Sequence, residues 1–103
     1  MKIIELNLDK INKLCKKCMV TKLWVFGPIL TPRFNDDSDI DFSVDFDSEG
    51  INKASADWAE CFFGLMHGLE EITGRKIDLV DYAGVRDSVF RKELDDTKRL
   101  IYG

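Results

Sequence analysis

The nine residues Asp39–Asp47 alternate without a break, with Ile40, Phe42, Val44 and Phe46 on one parity and Asp39, Asp41, Ser43, Asp45 and Asp47 on the other. Successive side chains of a strand point to opposite faces, so this segment predicts a β-strand with one apolar face and one acidic face. A helix would scatter the same residues around its axis. The strand therefore belongs to a sheet covered on one side, and the rest of the chain must supply the cover.

The flanking segments supply it. Asn7 to Met19 has helical periodicity, with Asn7 as N-cap and Ile11, Leu14, Cys15 and Cys18 at i, i+3, i+4 and i+7. Lys22 to Phe26 is a short β-prone run stopped by Gly27-Pro28, and Thr31 to Ser38 is loop-like. Ser48-Glu49-Gly50 breaks the acidic strand. A long helix is then expected from Asn52 to Thr73, closed by Gly74, with Ile51, Ala54, Trp58, Phe62, Leu65, Leu69 and Ile72 on its apolar stripe. Lys76 to Asp81 reads as a third strand, with Ile77 and Leu79 on one face and Asp78 and Val80 on the other. A final helix is expected from Arg86 to Ile101, with Val89, Phe90, Leu94, Leu100 and Ile101 inward. This order predicts one α/β (α+β) domain over residues 1–103, a small mixed β-sheet with helices packed on one face.

Charge is unevenly placed. The chain of 103 residues carries a net charge of −4, yet the stretch between Arg33 and Lys53 holds seven acids (Asp36, Asp37, Asp39, Asp41, Asp45, Asp47, Glu49) and no base. The remainder is slightly basic. An acidic chain argues against general nucleic-acid binding, which needs a basic patch. No apolar run approaches the roughly 18 residues of a membrane span, and the first residues have no signal-peptide core. Cys15, Cys18 and Cys61 are an odd number, which favours a reducing, cytoplasmic setting over a disulfide framework. Cys15-Lys16-Lys17-Cys18 has the C-x-x-C spacing but lacks a second pair, so both thiols read as small apolar residues on the helical stripe. His67 reads as a surface or partner-facing residue rather than a ligand, Trp24 and Trp58 as core, and Phe63 as an off-stripe aromatic suited to an interface.

Asp39 and Asp41, at i and i+2 of one strand, put two carboxylates side by side. Hard oxygen donors in that arrangement suit a divalent cation, Mg²⁺ above all, and Asp78 offers a third if its strand lies alongside. The bland alternative is a solvated strand face, which suits Asp45, Asp47 and Glu49.

Asp37-Ser38-Asp39-Ile40-Asp41-Phe42, twelve positions after Gly27, resembles the minimal nucleotidyltransferases of the DNA polymerase β-like superfamily. Their signature is Gly-Ser, ten residues, then D-x-D in a Ser-Asp-Ile-Asp-Leu-like run. Lys76-Ile77-Asp78-Leu79-Val80 is similar to the strand bearing that family's third acid, and the final helix, ending Leu100-Ile101-Tyr102-Gly103, is similar to its C-terminal helix. The resemblance implies the polymerase β-like fold and transfer of a nucleoside monophosphate, usually AMP from ATP, to a hydroxyl. It implies Asp39, Asp41 and Asp78 as catalytic and metal residues holding two Mg²⁺ ions, with Gly27, position 28 and Ser38 at the nucleotide. It also implies a partner, because many one-domain members are antitoxins that modify a HEPN-type toxin; self-association is left open. One departure stands out. The family's Ser is Pro28 here, which removes a hydroxyl and an N–H from a site that grips anions, and the Arg-Gly that follows is Thr31-Pro32. The alternative implied is a catalytically impaired module that keeps the fold and acts by binding its partner.

Overall fold

The structure is a computed structural model describing residues 1–103. It contains a four-stranded mixed sheet of β1 (Val20–Phe26), β2 (Ile40–Phe46), β3 (Ile77–Asp81) and β4 (Arg99–Tyr102) in the order β3-β2-β1-β4. β1 pairs antiparallel with both β2 and β4, while β2 and β3 run parallel. A parallel pair needs a long crossover, here α3 (Ser48–Lys53) and α4 (Trp58–Thr73). α1 (Lys2–Leu6) and α2 (Leu8–Lys17) precede the sheet, and α5 (Ser88–Thr97) lies between β3 and β4.

The alternation in β2 does what its pattern requires. Ile40, Phe42, Val44 and Phe46 are buried in one cluster with Leu23 and Val25 of β1, Ile77 and Leu79 of β3, Ile11 and Cys15 of α2, and Leu65 and Leu69 of α4. Phe42 is fully enclosed, and truncation to Ala would cost about 3–5 kcal/mol. α2 meets α4 at Gly68, where a side chain would strike Leu14. The other face of the sheet has a smaller apolar layer of its own. Trp24 lies 5.0 Å from Tyr82, Phe26 lies 6.1 Å from Phe90 of α5, and Leu94 is buried beside them.

Several boundaries differ from the sequence expectation. The first helix is two, broken at Asn7, whose amide donates to Ile3 O at 2.8 Å rather than capping α2. Ser48-Glu49-Gly50 ends β2 but opens a helix, because Asp47 accepts from Gly50 N at 2.9 Å. The expected helix from Asn52 is interrupted after Lys53: Ser55 takes φ 53, and Asp57 caps a new helix through Ala59 N. Ala54 is exposed, and Trp58, at the first turn of α4, is 41% exposed and stacks on Phe62 instead of entering the core. The last helix stops at Thr97, and Leu100 and Ile101 join a strand on the open edge of β1. Val89 and Leu100 point outward, contrary to the inward reading. Phe63 is half exposed, as its off-stripe position predicts.

No helix is long and apolar enough to cross a membrane.

Candidate active site

β2 lies between two partners, and its register fixes what stands beside each acid. Asp41 is opposite Phe26 on the β1 side and opposite Asp78 on the β3 side. Directly opposed residues share a face, so the Asp41 and Asp78 side chains emerge together. Ile40 and Ile77, also paired, emerge into the core. A one-residue slip would exchange these sets, so burial of the isoleucines holds the carboxylates outward in register. Asp39 stands one residue before β2 and is exposed; Asp78 is exposed and Asp41 half-buried.

Electrostatics records this crowding. Partial burial, followed by the charges of Asp78 and then Asp39, pushes the Asp41 carboxyl up to about 6. No three His, Cys, Asp or Glu side chains converge tightly enough to enclose a cation. The donor set is nonetheless all-oxygen and anionic, which fits a hard divalent ion. The thiols do not compete for that role. Burial, with the neighbouring Cys18, pushes Cys15 up to about 12, and burial raises Cys18 and Cys61 as well. His67 is exposed, with Nδ1 3.0 Å from Glu70 Oε1.

Gly27 forms a notch for Asp41. It adopts φ 77, and a methyl group built on it would collide with Asp41 Oδ2. Only glycine meets both demands, the left-handed backbone and the close approach. Pro28 follows as the second residue of a 3₁₀ turn over Gly27–Leu30, where its fixed φ suits the first turn. The chain therefore turns at the site without an extended helix N-terminus.

The loop before β2 is held by a residue the sequence reading missed. Arg75 Nη2 donates to the Ser38 carbonyl at 2.6 Å and to the Asn35 carbonyl, while its guanidinium lies 4.6 Å from the Phe34 ring centroid. Ser38 Oγ accepts from Asn35 N at 3.1 Å, so that hydroxyl helps to close the loop. Only the adjacency of Arg75 to β3 could have hinted at this. A cavity of about 500 Å³ opens beside the Gly27–Pro28 turn, with Phe26, Phe90, Arg33 and Arg99 in its wall. Asp39, Asp41 and Asp78 are not among the residues of its wall.

Comparison with known proteins adds an independent observation. The sequence profile described as Polymerase beta, Nucleotidyltransferase matches residues 9–103. Among solved structures, one described as a minimal nucleotidyltransferase is 19% identical, with a TM-score of 0.75 over 95% of this chain and 92% of that one. A chain of a toxin–antitoxin complex with AMP-PNP is 21% identical, with a TM-score of 0.67 over 94% of this chain and 73% of that one. A chain of the Shewanella oneidensis complex of a tri-AMPylated HEPN toxin with an MNT antitoxin is 21% identical, with a TM-score of 0.61 over 96% and 71%. At these identities the likeness establishes a shared fold. No curated protein is significantly similar in sequence.

Proposed function

The chain belongs to the polymerase β nucleotidyltransferase family, and on that premise we propose that it transfers AMP from ATP to a hydroxyl group of a protein partner or small molecule. The acceptor oxygen attacks the α-phosphorus, the bond to the β-phosphate oxygen breaks, pyrophosphate leaves, and the hydroxyl proton passes to a carboxylate. The observation that carries this reading is the register pairing of Asp41 with Asp78 beneath the Gly27 notch, with Asp41 short of positive charge. Asp39, Asp41 and Asp78 are the residues that would hold Mg²⁺, two ions in a full site. When bound, such ions neutralise the phosphates and lower the pKa of the attacking hydroxyl. On this reading Asp78 takes the hydroxyl proton, Gly27 leaves room for the phosphates to approach the backbone, and Ser38 borders the nucleotide from the loop that Arg75 braces.

The partner on this reading is a HEPN-type toxin, supported by the toxin–antitoxin complexes among the structural neighbours. A cytoplasmic setting agrees with three free cysteines.

Pro28 favours a second reading, a module that binds its partner without catalysis, because the turn offers neither a hydroxyl nor an N–H at that position. Calorimetric titration of ATP with Mg²⁺ into the parent and Pro28→Ser chains separates the two. The transferase reading expects binding by the parent and binding about tenfold tighter after one charge-assisted hydrogen bond is restored. Absence of ATP binding in both chains, with the partner still bound, would leave the contact-only module.

A further inference from the structure

The two helices that cover the core carry opposite charges on their outer sides. α2 and α4 run antiparallel side by side, Leu14 meeting Gly68 and Cys18 meeting Gly64. Their inner sides enter the core through Ile11, Cys15, Leu65 and Leu69. Opposite that stripe, Lys10, Lys13, Lys16 and Lys17 fall within about a third of the α2 circumference, with Asp9 the one acid among them. The matching sector of α4 holds Glu60, Phe63, His67 and Glu71. All of these residues are exposed, Phe63 to 50%. His67 is engaged with Glu70 at 3.0 Å, but no lysine of α2 and neither Glu60 nor Glu71 belongs to an ion pair. The helix dipole accounts for Lys16 and Lys17 in the last turn of α2; Lys10, in the first turn, opposes it.

A basic strip beside an acidic strip on one layer is complementary to itself under one symmetry. A two-fold axis across the helices sets α2 on α2 and α4 on α4, opposing like charges. A two-fold axis along the layer, between the helices, sets each α2 on the α4 of the other copy. The stagger fixed at Gly68 and Gly64 then decides the partners. Glu71 comes level with the span between Lys10 and Lys13, while Glu60 and Phe63 lie toward the end of α2 that carries Lys16 and Lys17. There the lysine stems cover the Phe63 ring and their ammonium groups lie near its face. We propose that this layer is the contact of an isologous dimer of the chain, α2 of each copy lying on α4 of the other, with Lys13 opposing Glu71. α2 has 10 residues, about 15 Å of helix, so the contact is small and the dimer weak, with a dissociation constant on the order of tens of micromolar. Catalysis plays no part in this contact, because Asp41 and Asp78 emerge on the opposite face of the sheet.

Sedimentation equilibrium of the full chain at low salt tests the contact. The parent should dimerise, and added salt should weaken the dimer, since its attraction lies between exposed charges. Lys13→Glu and Glu71→Lys should each weaken dimerisation about tenfold or more by opposing like charges. The double variant Lys13→Glu/Glu71→Lys keeps the chain's net charge and exchanges the pair, so it should recover the parent's affinity. An equal mixture of the two single variants should form a heterodimer. Melting temperatures of the dilute variants should match the parent's, because both side chains are exposed. A parent that stays monomeric at millimolar concentration would overturn the dimer, as would a double variant no better than the single ones. A parent that is monomeric alone but loses a HEPN-type partner on Lys13→Glu would assign the face to that partner and overturn self-association.

Discussion

Replacing Asp41 with Asn should stabilise the chain above pH 6, which is unusual for a change at a candidate active site. The Asp41 carboxyl is held at about 6 against an ordinary 3.8, by burial first and by Asp78 and Asp39 after it. The folded chain therefore holds this proton more tightly than the unfolded chain. Stability from this group is greatest below pH 3.8 and declines as pH rises toward about 6, where the charged form must be accommodated. The full penalty corresponds to about 3 kcal/mol. Asp41 is only half-buried, and solvent screening reduces the effect to about 1 kcal/mol. Asn carries no charge at any of these pH values, so Asp41→Asn should raise Tm by about 4–8 °C at pH 7.5. About a third of the gain should remain at pH 4.5. Scanning calorimetry of both proteins across this range, without divalent metal, measures the difference. Asp78→Asn removes the neighbouring charge while leaving Asp41 in its notch, and should stabilise in the same direction by less. If both variants melt with the parent at every pH, the carboxylates do not repel one another and the crowding argument fails.

Gly27→Ala should destabilise by about 1–3 kcal/mol, since a positive-φ alanine and a displaced Asp41 add together; a denaturant melt equal to the parent's would refute the notch. Arg75→Ala removes two charge-assisted bonds to loop carbonyls and should cost about 1–2 kcal/mol. Hydrogen exchange should then quicken in residues 34–38, and unchanged exchange would show that the loop holds itself. Ser43 is fully buried with an unpartnered hydroxyl between Trp24 and Val80. Ser43→Ala should therefore be neutral or stabilising by up to about 1 kcal/mol, and a clear loss of stability in a urea melt would reveal a bond to that hydroxyl.

β2 was legible in the sequence because its period-2 pattern is long and its core parity is entirely apolar. The outward parity of Asp41 followed from it. The alternation of β3 set Asp78 opposite in parity to Ile77 and Leu79, but that β3 lies beside β2 was only a condition of the sequence reading. What was not legible depended on chain reversals with no periodic signal. The apolar spacing from Ile51 through Trp58 to Ile72 suits one helix, and only the left-handed backbone at Ser55 and the Asp57 cap divide it. Arg99–Tyr102 is four residues long, too short to tell a last helical turn from an edge strand; the open edge of β1 decides it. The layer formed by Trp24, Tyr82, Phe90 and Leu94 on the second face was equally hidden, because it depends on where β4 returns α5 to the sheet. Arg75 reaches loop carbonyls some forty residues away in sequence. A contact of that separation leaves no local pattern.

The most direct test of transferase action is the mass of the acceptor. The purified chain is incubated with ATP, Mg²⁺ and the protein encoded by its neighbouring gene, and intact-mass spectra are compared with those from Asp39→Asn and Asp41→Asn. The account predicts that the partner gains the mass of one or more AMP groups with the parent chain and none with either variant. A partner of unchanged mass that nonetheless forms a stable complex with the parent chain would contradict catalysis and leave binding alone.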